Sequence, residues 1–170
     1  MLATQLCFDL TCQIGFVFDN FVGEKNQQII HALNLCLNPE NLAIWHAHIH
    51  STEQAGKTHL LKACCHQVIR QGGTAIYIDM SHFYRISPDI FQGLDQVSLV
   101  CIDNADCVIG NVIWEEALFA LFNRLVVKKV SLVIAAKEAP KQLRVVLPDL
   151  KTRLSQGLVM QLETLSCLLY

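Results

Sequence analysis

Charge is scarce in this chain. Asp, Glu, Lys and Arg make up 16% of the 170 residues, against 52% hydrophobic, where soluble domains carry roughly 25% charged residues. Part of the apolar surface is therefore expected to face a partner. The formal net charge of −2 provides no positive field to gather nucleic acid, which argues against strong direct DNA binding. No apolar run reaches the ~18–20 residues that a membrane span needs, and no basic segment with a cleavage site opens the chain. The expected location is cytoplasmic, with no membrane partner. C-x-x-C spacing is missing too. Of the eight cysteines, Cys36, Cys64, Cys65, Cys101 and Cys107 lie in or beside apolar periodic segments, as reduced core thiols do. With only four prolines, no repeats and no low-complexity linker, the length fits one compact unit.

What is present alternates between two periodicities. Helical patterns run from Asn26 toward Asn38-Pro39 (Ile29, Ile30, Leu33, Leu37), from Thr58 to Arg70, and from Glu115 to Val127 (Ala117, Leu118, Leu121, Phe122, Leu125). Shorter helices are expected over 88–94 and 148–155. Between them, Leu42 to Trp45, Thr74 to Asp79, Ser98 to Asp103, Ser131 to Ala136 and Leu158 to Leu162 read as strands. The continuous apolar run at 98–103 suits a strand covered on both faces. Strands alternating with helices predict an α/β fold of three αβα layers with a mainly parallel five-stranded sheet, whose ligand lies at the carboxyl ends of the strands. His46, His48 and His50 would share one side of a strand, where they could chelate a metal. No cysteine or carboxylate at ligand spacing completes such a site, and a strand end feeding a surface loop is the plainer reading.

The first strand leads into Ser51-Thr52-Glu53-Gln54-Ala55-Gly56-Lys57-Thr58 at the start of a helix. A strand, a loop ending in Gly-Lys-Thr and a helix are the parts of a phosphate-binding P-loop, in which backbone N–H groups and a helix N-terminus hold the anion. Position 51 is serine where the pattern wants the first glycine, which reduces the backbone freedom of the loop. Lys57 can reach β- and γ-phosphates, and the Thr58 hydroxyl can bind Mg²⁺. Asp103 ends an apolar strand where the Mg²⁺-holding acid of a Walker B motif belongs. Its neighbour is Asn104, an amide that cannot take a proton from water at neutral pH, so little intrinsic turnover is expected.

Gln5-Leu6-Cys7-Phe8-Asp9-Leu10, Phe18-Asp19-Asn20-Phe21, Gly56 to Leu61, Leu99 to Asn104 and Leu147 to Leu154 resemble, in one order and register, the DnaA/Hda family of AAA+ proteins. Within it they look most like the Hda type, the regulatory inactivators of the bacterial replication initiator. The resemblance implies an AAA+ core binding ADP or ATP with Mg²⁺, with Phe18 and Phe21 on the adenine side, Gly56, Lys57 and Thr58 at the phosphates, and Thr58 and Asp103 at the metal. It implies that Arg153 is an arginine finger acting in trans on the nucleotide of a bound DnaA protomer. Gln5, Leu6, Phe8 and Leu10 match the family's motif for the DNA polymerase III sliding clamp (beta subunit), which makes 1–15 a clamp-binding segment and 16–170 the AAA+ domain. The chain ends at Tyr170, where the family's helical lid would begin, and Lys137 stands at the sensor 1 position, usually polar or acidic. The implied function is negative regulation of replication initiation by promoting hydrolysis of DnaA-bound ATP, and a homo-oligomer is compatible with it. Two alternatives stay open: a small P-loop NTPase or phosphotransferase using Lys57, Thr58 and Asp103, and a nucleotide-free AAA+ scaffold for protein contacts.

Overall fold

A computed structural model describes residues 17–21, 24–41, 43–52 and 55–163. Strands β1 (His46–His50), β2 (Ala75–Asp79), β3 (Leu99–Asp103), β4 (Ser131–Ala136) and β5 (Leu158–Gln161) form one sheet in the order β2-β3-β4-β1-β5, and all four pairings are parallel. Among the described residues four α-helices accompany them: α1 (Glu24–Leu37), α2 (Lys57–Arg70), α3 (Val112–Lys128) and α4 (Pro148–Gln156).

Alternation along the central strands divides the core into two layers. Leu99, Cys101, Val133 and Ala135 join Ala47 and Ile49 under α1 and α2, where Leu33, Leu60, Leu61 and Cys64 are fully enclosed. Val100, Ile102, Leu132 and Ile134 face the opposite way, onto Leu118, Leu121, Phe122 and Leu125 of α3 and Leu150 and Leu154 of α4. Each buried leucine contributes about 1.5–3 kcal/mol, so the sheet must be covered on both sides to be stable. Cys36, Cys64 and Cys101 are buried free thiols, and burial pushes Cys36 up to about 12.

The predicted first strand is displaced. The apolar run up to Trp45 leads into the sheet, and β1 is the histidine-containing segment His46–His50, which pairs with both β4 and β5. His46 and His48 are buried rather than feeding a surface loop. Their parity turns them onto the α3 side, where the His46 ring meets Phe122 edge-on at 5.0 Å between centroids and His48 Nε2 donates to Glu138 O at 3.0 Å. Among the described residues no group of three or more His, Cys, Asp or Glu could hold a metal ion. The predicted helix over 88–94 is two short 3₁₀ turns, Pro88–Phe91 and Leu94–Gln96.

α3 begins three residues before its predicted start, because the Asn111 side chain accepts from Ile113 N and Trp114 N and caps it. Its first turn carries Glu115, 1% exposed. That carboxylate accepts from Gly110 N at 2.7 Å, Val146 N at 2.9 Å and Leu147 N at 2.7 Å. Three backbone donors supply what a countercharge would, and the contact fixes the segment that enters α4. No helix among the described residues is long and apolar enough to cross a membrane.

Candidate functional site

The loop between β1 and α2 is held from both ends. Ser51 N donates to Ala136 O of β4 at 3.3 Å, and Lys57 Nζ donates back to Ser51 O at 2.5 Å. Gly56, which caps α2, has φ +89°, and a Cβ there would lie 2.8 Å from Phe21 Cε2. Glycine is required at 56 both for its backbone conformation and for the approach of Phe21. Phe21 is buried and stacks on His59, in the first turn of α2, with centroids 6.0 Å apart, while His59 Nε2 donates to Val17 O at 3.1 Å. Segment 17–21 thus lies across the start of α2, and Phe18, half-buried, packs on the same cluster. The aromatic pair and the Gly-Lys-Thr turn, far apart in sequence, are brought together.

At the carboxyl end of β3, Asp103 is 1% exposed. Its Oδ2 accepts from Thr58 Oγ1 at 2.5 Å and from the Tyr77 hydroxyl at 2.8 Å, and its Oδ1 accepts from Asn104 N at 2.9 Å. A threonine hydroxyl that donates its proton to a carboxylate keeps its lone pairs for a cation. Thr58 and Asp103 therefore bring together two hard oxygen groups, of the kind Mg²⁺ prefers. Burial and the Asp103 charge raise the Tyr77 phenol far above its usual range, so it remains a proton donor. Asn104, at φ +53°, donates from Nδ2 to Asp79 Oδ1 at 2.8 Å. Burial by itself would raise the Asp79 carboxyl, but this bond and those from Ser81 hold it below its ordinary value. The Lys57 ammonium is lowered by burial, a shift opposed by Asp103 and Asp106 and reinforced by Lys137.

The donor set at this loop fits a nucleotide with Mg²⁺: a helix N-terminus, one lysine, a hydroxyl–carboxylate pair and an aromatic flank. Tyr77, His59 and Asp106 were not singled out from the sequence. Tyr77 reaches Asp103 only because β2 lies beside β3 with Asp79 opposite Asp103, and nothing in the local pattern of β2 signals that reach.

Arg153 lies elsewhere. It projects from the last turn of α4, half-buried, and its Nη2 donates to Asn123 Oδ1 of α3 at 3.4 Å. It lines a cleft of about 140 Å³ with Ile44, Trp45, His46, Gln156 and Gly157, at the edge where β1 and β5 begin. Lys57 and Asp103 are at the edge where β1 and β3 end. Gln5, Leu6, Phe8 and Leu10 lie outside the described residues.

The family described as the bacterial DnaA ATPase domain matches residues 12–161. Among solved structures, the replication initiator DnaA bound to AMPPCP and single-stranded DNA superposes with a TM-score of 0.75 at 22% identity, over 87% of this chain and 50% of that one. Domain III of the Thermotoga maritima DnaA gives 0.74 at 25% identity, over 87% and 67%. DnaI gives 0.72 at 9% identity, over 86% and 87%. The chain spans about half the length of the first of these proteins, and likeness at such identities shows a shared fold.

Proposed function

The chain belongs to the bacterial DnaA ATPase-domain family, and from that premise we propose that it is a cytoplasmic regulator of replication initiation that acts on DnaA. In this reading it binds the sliding clamp through Gln5, Leu6, Phe8 and Leu10 and presents Arg153 to the nucleotide of a DnaA protomer, promoting hydrolysis of its ATP. The observation that carries the reading is the position of Arg153. β1 separates it from the chain's own loop by five residues, about 16 Å at strand rise, so it cannot serve the Lys57–Asp103 site but is open to a neighbour. A permanently charged, planar guanidinium suits a phosphate on which charge develops during transfer.

The chain's own site would hold ADP or ATP, with Phe18, Phe21 and His59 toward the base, Lys57 and the α2 N-terminus at the phosphates, and Thr58 and Asp103 at Mg²⁺. Bound there, the metal would neutralise phosphate charge. Asn104 supplies no base, so a nucleotide held there would turn over slowly. A self-contained NTPase is the second reading. The intact Thr58–Asp103 pair favours it, and Asn104 opposes it. The deciding experiment measures ATP hydrolysis by DnaA with DNA-loaded clamp, with and without this protein. No stimulation by the unsubstituted chain would overturn the regulatory reading.

A further inference from the structure

Cysteines gather where α2 packs on β3. Cys64 and Cys101 are enclosed in the core layer under α2, and Cys65, half-buried, packs against the same cluster. Cys101 Sγ donates to Leu61 O at 3.6 Å. In an α-helix that carbonyl pairs with the N–H four residues on, so the Cys101 sulfur lies beside residue 65. The Cys65 and Cys101 side chains share a hydrogen bond. Cys64 is no rival partner for Cys65, because successive side chains on a helix diverge by about 100° and do not face each other. The two bonded thiols differ in access. Cys65 is in partial contact with solvent, whereas Cys101 is 0% exposed and burial raises its thiol well above the usual range. A sulfur so enclosed does not meet a soluble oxidant, but it is placed to attack a neighbour that has done so.

We propose that Cys65 and Cys101 are a redox-active pair, which a peroxide converts from a dithiol into a disulfide that ties α2 to β3. The peroxide transfers one oxygen to the Cys65 thiol, giving a sulfenic acid, and its other oxygen leaves as water. The Cys101 sulfur then attacks the Cys65 sulfur, and the sulfenic hydroxyl departs with the Cys101 proton as a second water. Two electrons pass from the pair to the peroxide, and a thiol reductant returns them. The link closes a loop that contains β2, and it joins the helix that begins at Lys57 and Thr58 to the strand that ends at Asp103. Neither the regulatory reading nor a bound nucleotide is needed for this chemistry. Thiols that only fill the core would stay reduced under the same treatment.

The test treats the full folded chain with hydrogen peroxide and maps its alkylated peptides by mass spectrometry, beside the Cys65→Ser, Cys101→Ala and Cys64→Ala variants. The expected product has lost two hydrogens and joins the peptide of Cys65 to that of Cys101, and dithiothreitol reverses it. Cys65→Ser and Cys101→Ala should each abolish the linked peptide, while Cys64→Ala should keep it. Cys65 is half-buried and tolerates serine, so the result does not depend on the buried Cys101 variant folding. The linked chain should unfold at a higher urea midpoint than the reduced one, because the closed loop restricts the unfolded chain. Cys65 driven to sulfinic acid with no linked peptide, a link made through Cys64 instead, or a Cys65 that stays reduced in excess peroxide overturns the pairing. A lower urea midpoint for the linked chain overturns it as well, since the two sulfurs would then not meet in the folded chain as a bond requires.

Discussion

Lys57 and Arg153 stand at opposite ends of β1. The first bonds to Ser51, where the strand has ended, and the second shares a cleft with Trp45 and His46, where it begins. One chain therefore carries the Gly-Lys-Thr turn on one edge of its sheet and Arg153 on the other, and neither group can complete the other within a single molecule. Stacked head to tail, the arginine edge of one protomer would meet the loop edge of the next, which is a heterologous arrangement.

Arg153→Ala is expected to remove most of the stimulation of DnaA's ATPase. Arginine fingers acting in trans are worth about 10³–10⁵ in rate, and Arg153→Lys should fail nearly as badly because an ammonium lacks the planar fork. The melting temperature should hardly move, since the weak 3.4 Å bond to Asn123 is the guanidinium's described hydrogen bond. Full stimulation by Arg153→Ala in the clamp-dependent assay would sink the assignment.

Gln5→Ala combined with Leu6→Ala should abolish binding to the sliding clamp at an unchanged melting temperature. An extended peptide that docks outside the core adds little to folding. A marked loss of stability would mean that the segment belongs to the folded domain instead.

Purified protein should turn over ATP negligibly. Asn104 donates its amide to Asp79, and an amide is no proton acceptor for water. Steady release of phosphate, abolished by Lys57→Ala, would contradict this and promote the NTPase reading.

Stability should decline in acid through two buried histidines. Burial lowers His46 to about 3 and His48 to about 4, and neither His46 Nε2 nor His48 Nδ1 has a hydrogen-bond partner. The unfolded chain takes up protons near pH 6.5 and the folded chain does not. Stability from the neutral rings is therefore complete above that value and lost as pH falls from about 6.5 toward 4 and 3. Each ring contributes a slope of about 1.4 kcal/mol per pH unit once its unfolded form is protonated, or about 2 kcal/mol by pH 5. Urea midpoints measured between pH 7.5 and 4.5 should show this slope, and His48→Leu should flatten it. An unchanged slope in that variant would remove His48 as a cause.

Gly157→Ala should destabilise by about 1–3 kcal/mol, as overpacking does. An added Cβ would lie 2.2 Å from His46 Nδ1 and 2.6 Å from the backbone oxygen His46 O, and the latter cannot rotate away. An unchanged urea midpoint would show that β5 can move off β1 at that point.

Much of the architecture was legible in the chain itself because the two core layers require it. Leu99 to Asp103 and Ser131 to Ala136 are apolar on both faces, and only a strand with helices on either side can bury such a run. β1 departs from the strand expected over 42–45 for an equally physical reason. Histidine counts as polar in a pattern, yet His46 packs on Phe122 and His48 bonds to Glu138 O, both buried where desolvation disfavours their charge. α3 starts ahead of its apolar periodicity because Asn111, loop-like in sequence, caps it by accepting from Ile113 N and Trp114 N.

The sequence by itself determined the fold class, the Gly-Lys-Thr turn before a helix, the acid at the end of β3 and the family. These depend on periodicity and on residue types at short, fixed spacings. Only the tertiary structure decided that Tyr77 and Thr58 share one oxygen of Asp103, that Ser51 of the loop bonds to Ala136 of β4, and that Arg153 lies on the far edge of the sheet. Those relations arise from the parallel register of β2 on β3 and of β4 on β1, and strand order in space is set by packing between distant segments, which no local pattern records.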